Sequence, residues 1–502
     1  MIFFHGVFHL TRHWGFILAP VVWVRQLQTA GMRLPRTIYY IFLALLAAAG
    51  CKKRAEPQTV RSTALNSISI EHYASIPKPA SDGGGFASDG ETVLLATGDG
   101  VFYDLRDGLR RLDIPPPFDR KGFLEDWKGA SPPPRLRLTG ALLSGNRLYV
   151  AHQHWRREDR CFTMAVSVTS RSAPKGWRKL FETSPCLSFE DPFDDSETGG
   201  RLALAPDGDL LLTVGDHGFS GLDGSDPFAQ APNGYGKIHK ISSDGAASEV
   251  LSIGHRNPQG LTVDSGGRIW ASEHGPQGGD ELNLIEAGQN YGWPLVTYGT
   301  SYGSTSWPLN PKGRSHGSFR EPAMAFVPAI AASAVIEVDG IAFPEWRGDL
   351  LIGSLRTMAL FRVRLAADRA VYVEPIPLGE RVRDVVQTPE GSILIWADRG
   401  VLLKIARAAT DTAYERYCSG CHEPAFGSAA GPDLRGVIGS EIASHKNFPY
   451  SAALTGKKGR WTKENLNAFL TDPEQFAPGT TMRLPALDDE TRAEILEFLN
   501  SR

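Results

Sequence analysis

PDGDLLLTVGDHG, residues 206–218, reads as a tight turn followed by a strand. Pro, Asp and Gly in succession suit a hairpin turn with a residue at φ > 0, and the apolar run behind them has the length of one strand. The unit recurs as SDGETVLLATGDG (88–100), SGNRLYVAHQH (144–154), SGGRIWASEHG (265–275), WRGDLLIGSLR (346–356) and PEGSILIWADRG (389–400). Neighbouring turns lie about 40 to 80 residues apart, enough for one four-stranded sheet with variable loops. Six copies predict a mainly β architecture, a six-bladed β-propeller over residues 65–407, whose radial closure leaves no long sheet edge exposed. A β-sandwich is the alternative, but it rarely repeats one turn–strand unit this often.

Composition agrees with that reading. The 502 residues allow two or three domains. Their 53 Gly and 34 Pro, with 24 Phe and 11 Trp, favour a turn-dense β body, and helical patterning begins only after about residue 410. A net charge of −3 gives no electrostatic case for binding nucleic acid.

Five cysteines divide by context. MRLPRTIYYIFLALLAAAGC (32–51) has two arginines, an apolar run and small residues before Cys51, the plan of a secretory signal. Residues 1–51 are therefore expected to direct export, with Met32 a candidate start. The end of the run is similar to a bacterial lipobox, which would place the protein in the periplasm, tied to a membrane through lipid on Cys51. An uncleaved N-terminal anchor is the alternative, and GFILAPVVWV (15–24) is short for a span. Residues 52–64 read as a polar tether. In an oxidising compartment Cys161 and Cys186 would form a disulfide; the alternative is two unrelated thiols.

The last two cysteines stand in AYERYCSGCHEPAFG (413–427). C-x-x-C-H is the c-type haem attachment sequence: Cys418 and Cys421 would bind one porphyrin covalently, and His422 its iron. A zinc knuckle would need two further Cys or His nearby, and a redox dithiol has no use for the His. Met482, in FAPGTTMRLPAL (476–487), is the candidate for the opposite iron ligand, a pairing suited to electron acceptance. Residues 411–502, ending in the helical pattern DDETRAEILEFL (488–499), resemble a small all-α class I cytochrome c domain. The resemblance implies that the Pro432 carbonyl of GPDLRGV orients His422.

GHRNPQGL (254–261) and SEHGPQGGDELNLIEAGQNYGWP (272–294) resemble the soluble glucose and aldose sugar dehydrogenases, sorbosone dehydrogenase-like proteins included. These are six-bladed propellers that use pyrroloquinoline quinone (PQQ) and calcium. The resemblance implies that Arg256 and Asn257 contact the quinone. It implies the same of Arg356 in GSLRTMALFRVRL, and of Arg381 and Arg383 in ERVRDVVQTPEG. An anionic tricarboxylate calls for such cations. It also implies calcium held by the carbonyls of Gly275 and Pro276, with Glu281 and Tyr291 at a second calcium position. Where the family has a catalytic His, ETGGRLALAPDG (197–208) supplies Glu197. Asp216 could orient this base, and His217 could stand in for it. The family's PQQ-contacting Gln near the first blades has no counterpart in RLRLTGALLSG (135–145).

The expected activity is oxidation of a sugar, or a related alcohol or aldehyde, by PQQ. Electrons would then pass to the fused haem and on to a cytochrome or oxidase of the respiratory chain. Two other functions fit the same fold: a sugar- or partner-binding propeller without catalysis, and a calcium-dependent hydrolase or lactonase.

Overall fold

The computed structural model describes residues 59–500, apart from 64–66, 80–81, 107, 130–132, 189–192, 223–224, 301, 303–315, 409–411, 423–430, 446–447 and 483. The expected export segment with Cys51, and most of the tether, lie outside the described residues.

Each of the six turns joins the first and second strands of one antiparallel sheet. The second strands are Val93–Thr97, Arg147–Arg156, Leu210–Val214, Ile269–His274, Leu350–Ser354 and Ile393–Ala397. They are apolar on both faces because each sheet is covered by a neighbour on both sides; Leu210–Val214 and Ile393–Ala397 are buried at every position. Each connecting turn holds a glycine at positive φ (Gly90, Gly145, Gly208, Gly267, Gly348 and Gly391), the backbone state a tight hairpin demands.

The first strands, Gly84–Ser88, Leu138–Ser144, Gly199–Leu204, Asn257–Val263, Ala332–Glu337 and Val382–Gln387, touch one another in a closed cycle and so surround the axis. The ring is sealed where Ser67–Ser75 pairs with Val401–Arg407, a strand from near the start of the described chain completing the sixth blade. Thr59–Ser62 adds a fifth strand to that blade, so the sheet begins earlier than the tether boundary at 64 anticipated. Cys161 and Cys186 form the disulfide, inside the second blade.

Residues beyond the propeller are helical. Lys463–Thr471 starts at a capping box between Thr462 and Asn465 and buries Leu466, Phe469 and Leu470 at helical spacing. Asp489–Asn500 matches the expected final helix and buries Ile495 and Leu499. Together with Tyr414, Cys418, Leu454 and Trp461 these side chains form a separate core. Among the described residues no helix is long and apolar enough to cross a membrane.

Candidate active site and haem crevice

Antiparallel pairing puts the start of every first strand and the end of every second strand at the same end of the propeller. Glu197 precedes the third blade's first strand, Arg256 and Asn257 open the fourth blade, and Arg381 and Arg383 open the sixth. Asp216 and His217, Gly275 and Pro276, and Arg356 follow the second strands of the third, fourth and fifth blades. Residues far apart in sequence thus meet around one axial mouth.

Arg256 is the hub. Its guanidinium contacts the Glu197 carboxyl, donates to the Gly275 carbonyl at 3.1 Å and lies 5.4 Å from the centre of the Trp293 ring. Asp216, fully buried, accepts from Trp293 Nε1 at 2.6 Å and from the Gly218 amide at 3.1 Å. The Glu197 carboxyl lies close enough to that of Asp216 for each to influence the other's hold on a proton. Burial, together with the neighbouring Asp216, outweighs the pull of Arg256 and raises Glu197 to about 8; burial raises Asp216 as well. Asn257 is tied inward, its Oδ1 accepting from the Gly199 amide at 3.1 Å.

His217 is held differently. Its ring stacks on Phe193 and meets the edge of Tyr235, and burial lowers it to about 4. Only its backbone amide reaches Glu197, at the carbonyl, 3.2 Å away. The His217 imidazole thus sits between aromatic rings with both nitrogens unpartnered among the described residues, and the group facing Arg256 is the carboxyl of Glu197.

Arg381 and Arg383 share one carboxylate, Asp398, with Arg381 Nε donating to Oδ2 at 2.8 Å. Arg356 is exposed, and among the described residues its guanidinium has no partner.

Glu281 is buried beside Glu273, and the Asn283 amide donates to both carboxyls. Burial and then Glu273 hold Glu281 well above the usual carboxylate range. Gly275, Arg256, Glu281, Tyr291 and Trp293 line one small cavity. The Tyr291 hydroxyl is committed elsewhere, donating to the Leu284 carbonyl at 2.5 Å, so only its backbone carbonyl could ligate an ion. Pro276 is not among the lining residues. The carboxyl, amide and carbonyl oxygens here are donors a hard cation prefers. Among the described residues, no three His, Cys, Asp or Glu side chains converge as a metal-holding group.

In the helical domain Cys418, Cys421, His422 and Met482 line a cavity of about 280 Å³ whose other walls include Leu434, Tyr450, Trp461, Phe469 and Leu499. Both thiols are free, and burial pushes Cys418 up to about 12. The His422 ring is oriented through Nδ1, 2.7 Å from the Pro432 carbonyl, as the sequence resemblance implied. A Cβ on Gly431 would sit 2.5 Å from that ring, so glycine is needed for the imidazole to pack here. Two thiols, an oriented imidazole and a thioether around an apolar space fit a covalently bound haem c.

Three residues of the axial site escaped the sequence reading. Trp293 carries Asp216 and the Arg256 face, and only its place in a quoted motif hinted at it. Asp398 clamps two arginines from just after the sixth blade's second strand, close to the place Asp216 holds in the third blade, and only the short GD/AD likeness of the two repeats hinted at it. Arg201 pairs with Asp384 at 2.7 Å across the axis, a contact without local signal.

Residues 143–404 match the family model described as Glucose / Sorbosone dehydrogenase. An aldose sugar dehydrogenase of Escherichia coli is 31% identical over 243 residues, covering 46% of this chain and 64% of the relative. A cytochrome c homolog of Bradyrhizobium diazoefficiens is 38% identical over 104 residues, covering 20% of this chain and 56% of the relative. The chain thus spans less than two thirds of the length of these curated relatives. A crystal structure of a glucose dehydrogenase superposes with a TM-score of 0.56 at 26% identity, covering 68% of this chain and 99% of that one. The sealed ring, its axial mouth and the family match together place this chain in the glucose/sorbosone dehydrogenase family, with a cytochrome c homologue fused at its C-terminal end.

Proposed function

We propose that the chain is an exported PQQ- and calcium-dependent sugar dehydrogenase of the aldose type, delivering electrons through its own haem c to a respiratory acceptor. The observation that carries this reading is the set of guanidinium groups gathered at the axial mouth, those of Arg256, Arg356, Arg381 and Arg383. Arg381 and Arg383 share Asp398, Asp82 lies 3.6 Å from Arg383, and Arg356 is unpaired among the described residues. Such a set fits a planar tricarboxylate.

When bound, PQQ would supply the two-electron oxidant and the haem a one-electron acceptor. Arg256, Arg356, Arg381 and Arg383 would hold the quinone's carboxylates. The Gly275 carbonyl and the Glu281 carboxyl, which line one small cavity, would face calcium. Glu197 is the candidate proton acceptor for the reacting hydroxyl: burial keeps its affinity for a proton near that needed at neutral pH. Asp216 accepts from the Trp293 indole, which fixes its carboxyl beside Glu197. Cys418, Cys421, His422 and Met482 would retain the haem. Fusion keeps the acceptor at an effective concentration on the order of millimolar, which removes a diffusional encounter. The Cys161–Cys186 disulfide supports an oxidising compartment and, with the lipobox-like segment, a lipid-anchored periplasmic protein.

The test is reduction of the haem absorption band when an aldose is added to purified haem-loaded protein supplied with PQQ and calcium. Reduction that depends on all three additions is expected. No reduction across a broad panel of sugars, alcohols and aldehydes would refute the reading.

A further inference from the structure

The second blade contributes a cation that no motif singled out. Arg137, immediately before that blade's first strand, is only 5% exposed. Its Nη2 donates to the Asp195 carbonyl at 2.8 Å and its Nη1 to the Asp82 carbonyl at 3.4 Å, while its Nε has no partner. Beside it Gln153, 1% exposed, reaches the same Asp195 carbonyl at 3.5 Å and leaves its Oε1 unpaired. Buried polar atoms are almost always satisfied, so an unpartnered donor and an unpartnered acceptor, on two side chains that share one carbonyl, need an explanation.

Charge points the same way. Arg137's electrostatic neighbours are Arg135 and Arg383, which repel it, and Asp195 and Asp82, which attract it. Asp195 is already taken by Arg135, through Nε at 2.9 Å and the backbone amide at 2.6 Å. Asp82 turns its carboxylate toward Arg383, 3.6 Å away, and gives Arg137 only its carbonyl. Among the described residues the Arg137 guanidinium thus has no carboxylate in contact, a costly state for a buried cation unless an anion arrives from outside. Gly83 makes room for the stem: a Cβ there would lie 3.3 Å from Arg137 Cδ and 2.7 Å from the Leu138 carbonyl oxygen.

We propose that Arg137, with Gln153, is the second blade's contact to the anionic quinone, where this chain lacks the glutamine its family places near the first blades. The assignment rests on the PQQ reading above. A ligand edge bearing a carboxylate beside an N–H, as PQQ does, matches a free N–H donor beside a free carbonyl acceptor.

The test compares wild type with Arg137→Met in two measurements on full-length, haem-loaded protein. The first is calorimetric titration of PQQ in the presence of calcium. Its affinity is expected to fall roughly 30-fold or more, and its salt dependence to weaken. Arg137→Lys, which keeps the charge without Nε–H, is expected to lose roughly tenfold. The second is the thermal midpoint without PQQ, expected to stay or rise, because an uncompensated buried charge has been removed. A midpoint lower by about 3 °C or more, or failure to fold, would make Arg137 a structural strut and overturn the proposal. If wild type binds PQQ and Arg137→Met binds it equally, the assignment fails while the functional reading stands. Absence of PQQ binding by wild type sinks both.

Discussion

Replacing Gly431 by Ala tests whether the haem crevice is built as tightly as it appears on the His422 side. The new Cβ would lie 2.5 Å from both Cε1 and Nδ1 of His422, and 3.0 Å from Nε2. Ordinary carbon contacts need about 3.5 Å, so the ring must retreat by about 1 Å. That would stretch the 2.7 Å approach of Nδ1 to the Pro432 carbonyl beyond hydrogen-bonding range. Overpacking costs about 1–3 kcal/mol and the lost hydrogen bond about 1 kcal/mol. The sum of about 2–4 kcal/mol is a factor of about 30 to 1000 in the balance between ligated and displaced imidazole. The assay is the visible spectrum and reduction potential of the attached haem. The expected result is loss of the bands of a haem with two strong axial ligands, although the thioether links remain. Gly436→Ala is the control: nothing lies within 4 Å of its Cβ position, and its φ of +67° predicts a cost of about 1 kcal/mol in stability with ligation unchanged. A Gly431→Ala protein with the spectrum and potential of wild type would refute the reasoning.

Glu197→Gln should lower kcat by about 10²- to 10⁴-fold, measured as steady-state haem reduction. In wild type the rate should rise with pH through about 8, as the raised Glu197 carboxyl loses its proton, and the variant should lack that limb. Stability carries the opposite sign: a carboxyl raised on folding favours the native state below its unfolded value near 4.5, and that contribution fades as pH rises through about 8. Denaturant titrations of wild type across this range should show the decline, and Glu197→Gln should flatten it. Trp293→Phe removes the donor 2.6 Å from buried Asp216, and urea unfolding should register a loss of about 1–3 kcal/mol. Cys161→Ala opens a bridge between cysteines 25 residues apart and should cost about 3 kcal/mol in the same assay, with reductant producing a matching loss in wild type only.

Legibility in the sequence followed the range of the interactions. The haem set was readable because Cys418, Cys421 and His422 are bound by the spacing of one helical turn, and Met482 lies in the same small domain. Arg256, Arg381 and Arg383 were found through motifs, yet no motif showed that Asp398 would occupy two of them. Arg137 went unnoticed because nothing local distinguishes a buried arginine from a solvated one. Tyr291 lines the small cavity with Glu281, while its hydroxyl is taken by the Leu284 carbonyl, a pairing no local pattern announces. His217 looked like a substitute base on sequence position, whereas the rings of Phe193 and Tyr235 decide its surroundings.

By itself the sequence determined the six blades and the helical domain. A turn followed by an apolar strand, a capping box and a C-x-x-C-H run are each governed by neighbours a few residues apart, and such contacts are written in order along the chain. Tertiary structure alone decided which charges meet at the axis. Glu197 lies 59 residues from Arg256, and Arg201 lies 182 from the Arg383 carbonyl it bonds. Ring closure brings those partners together in a buried mouth, where low polarity makes each pairing, and each missing partner, matter.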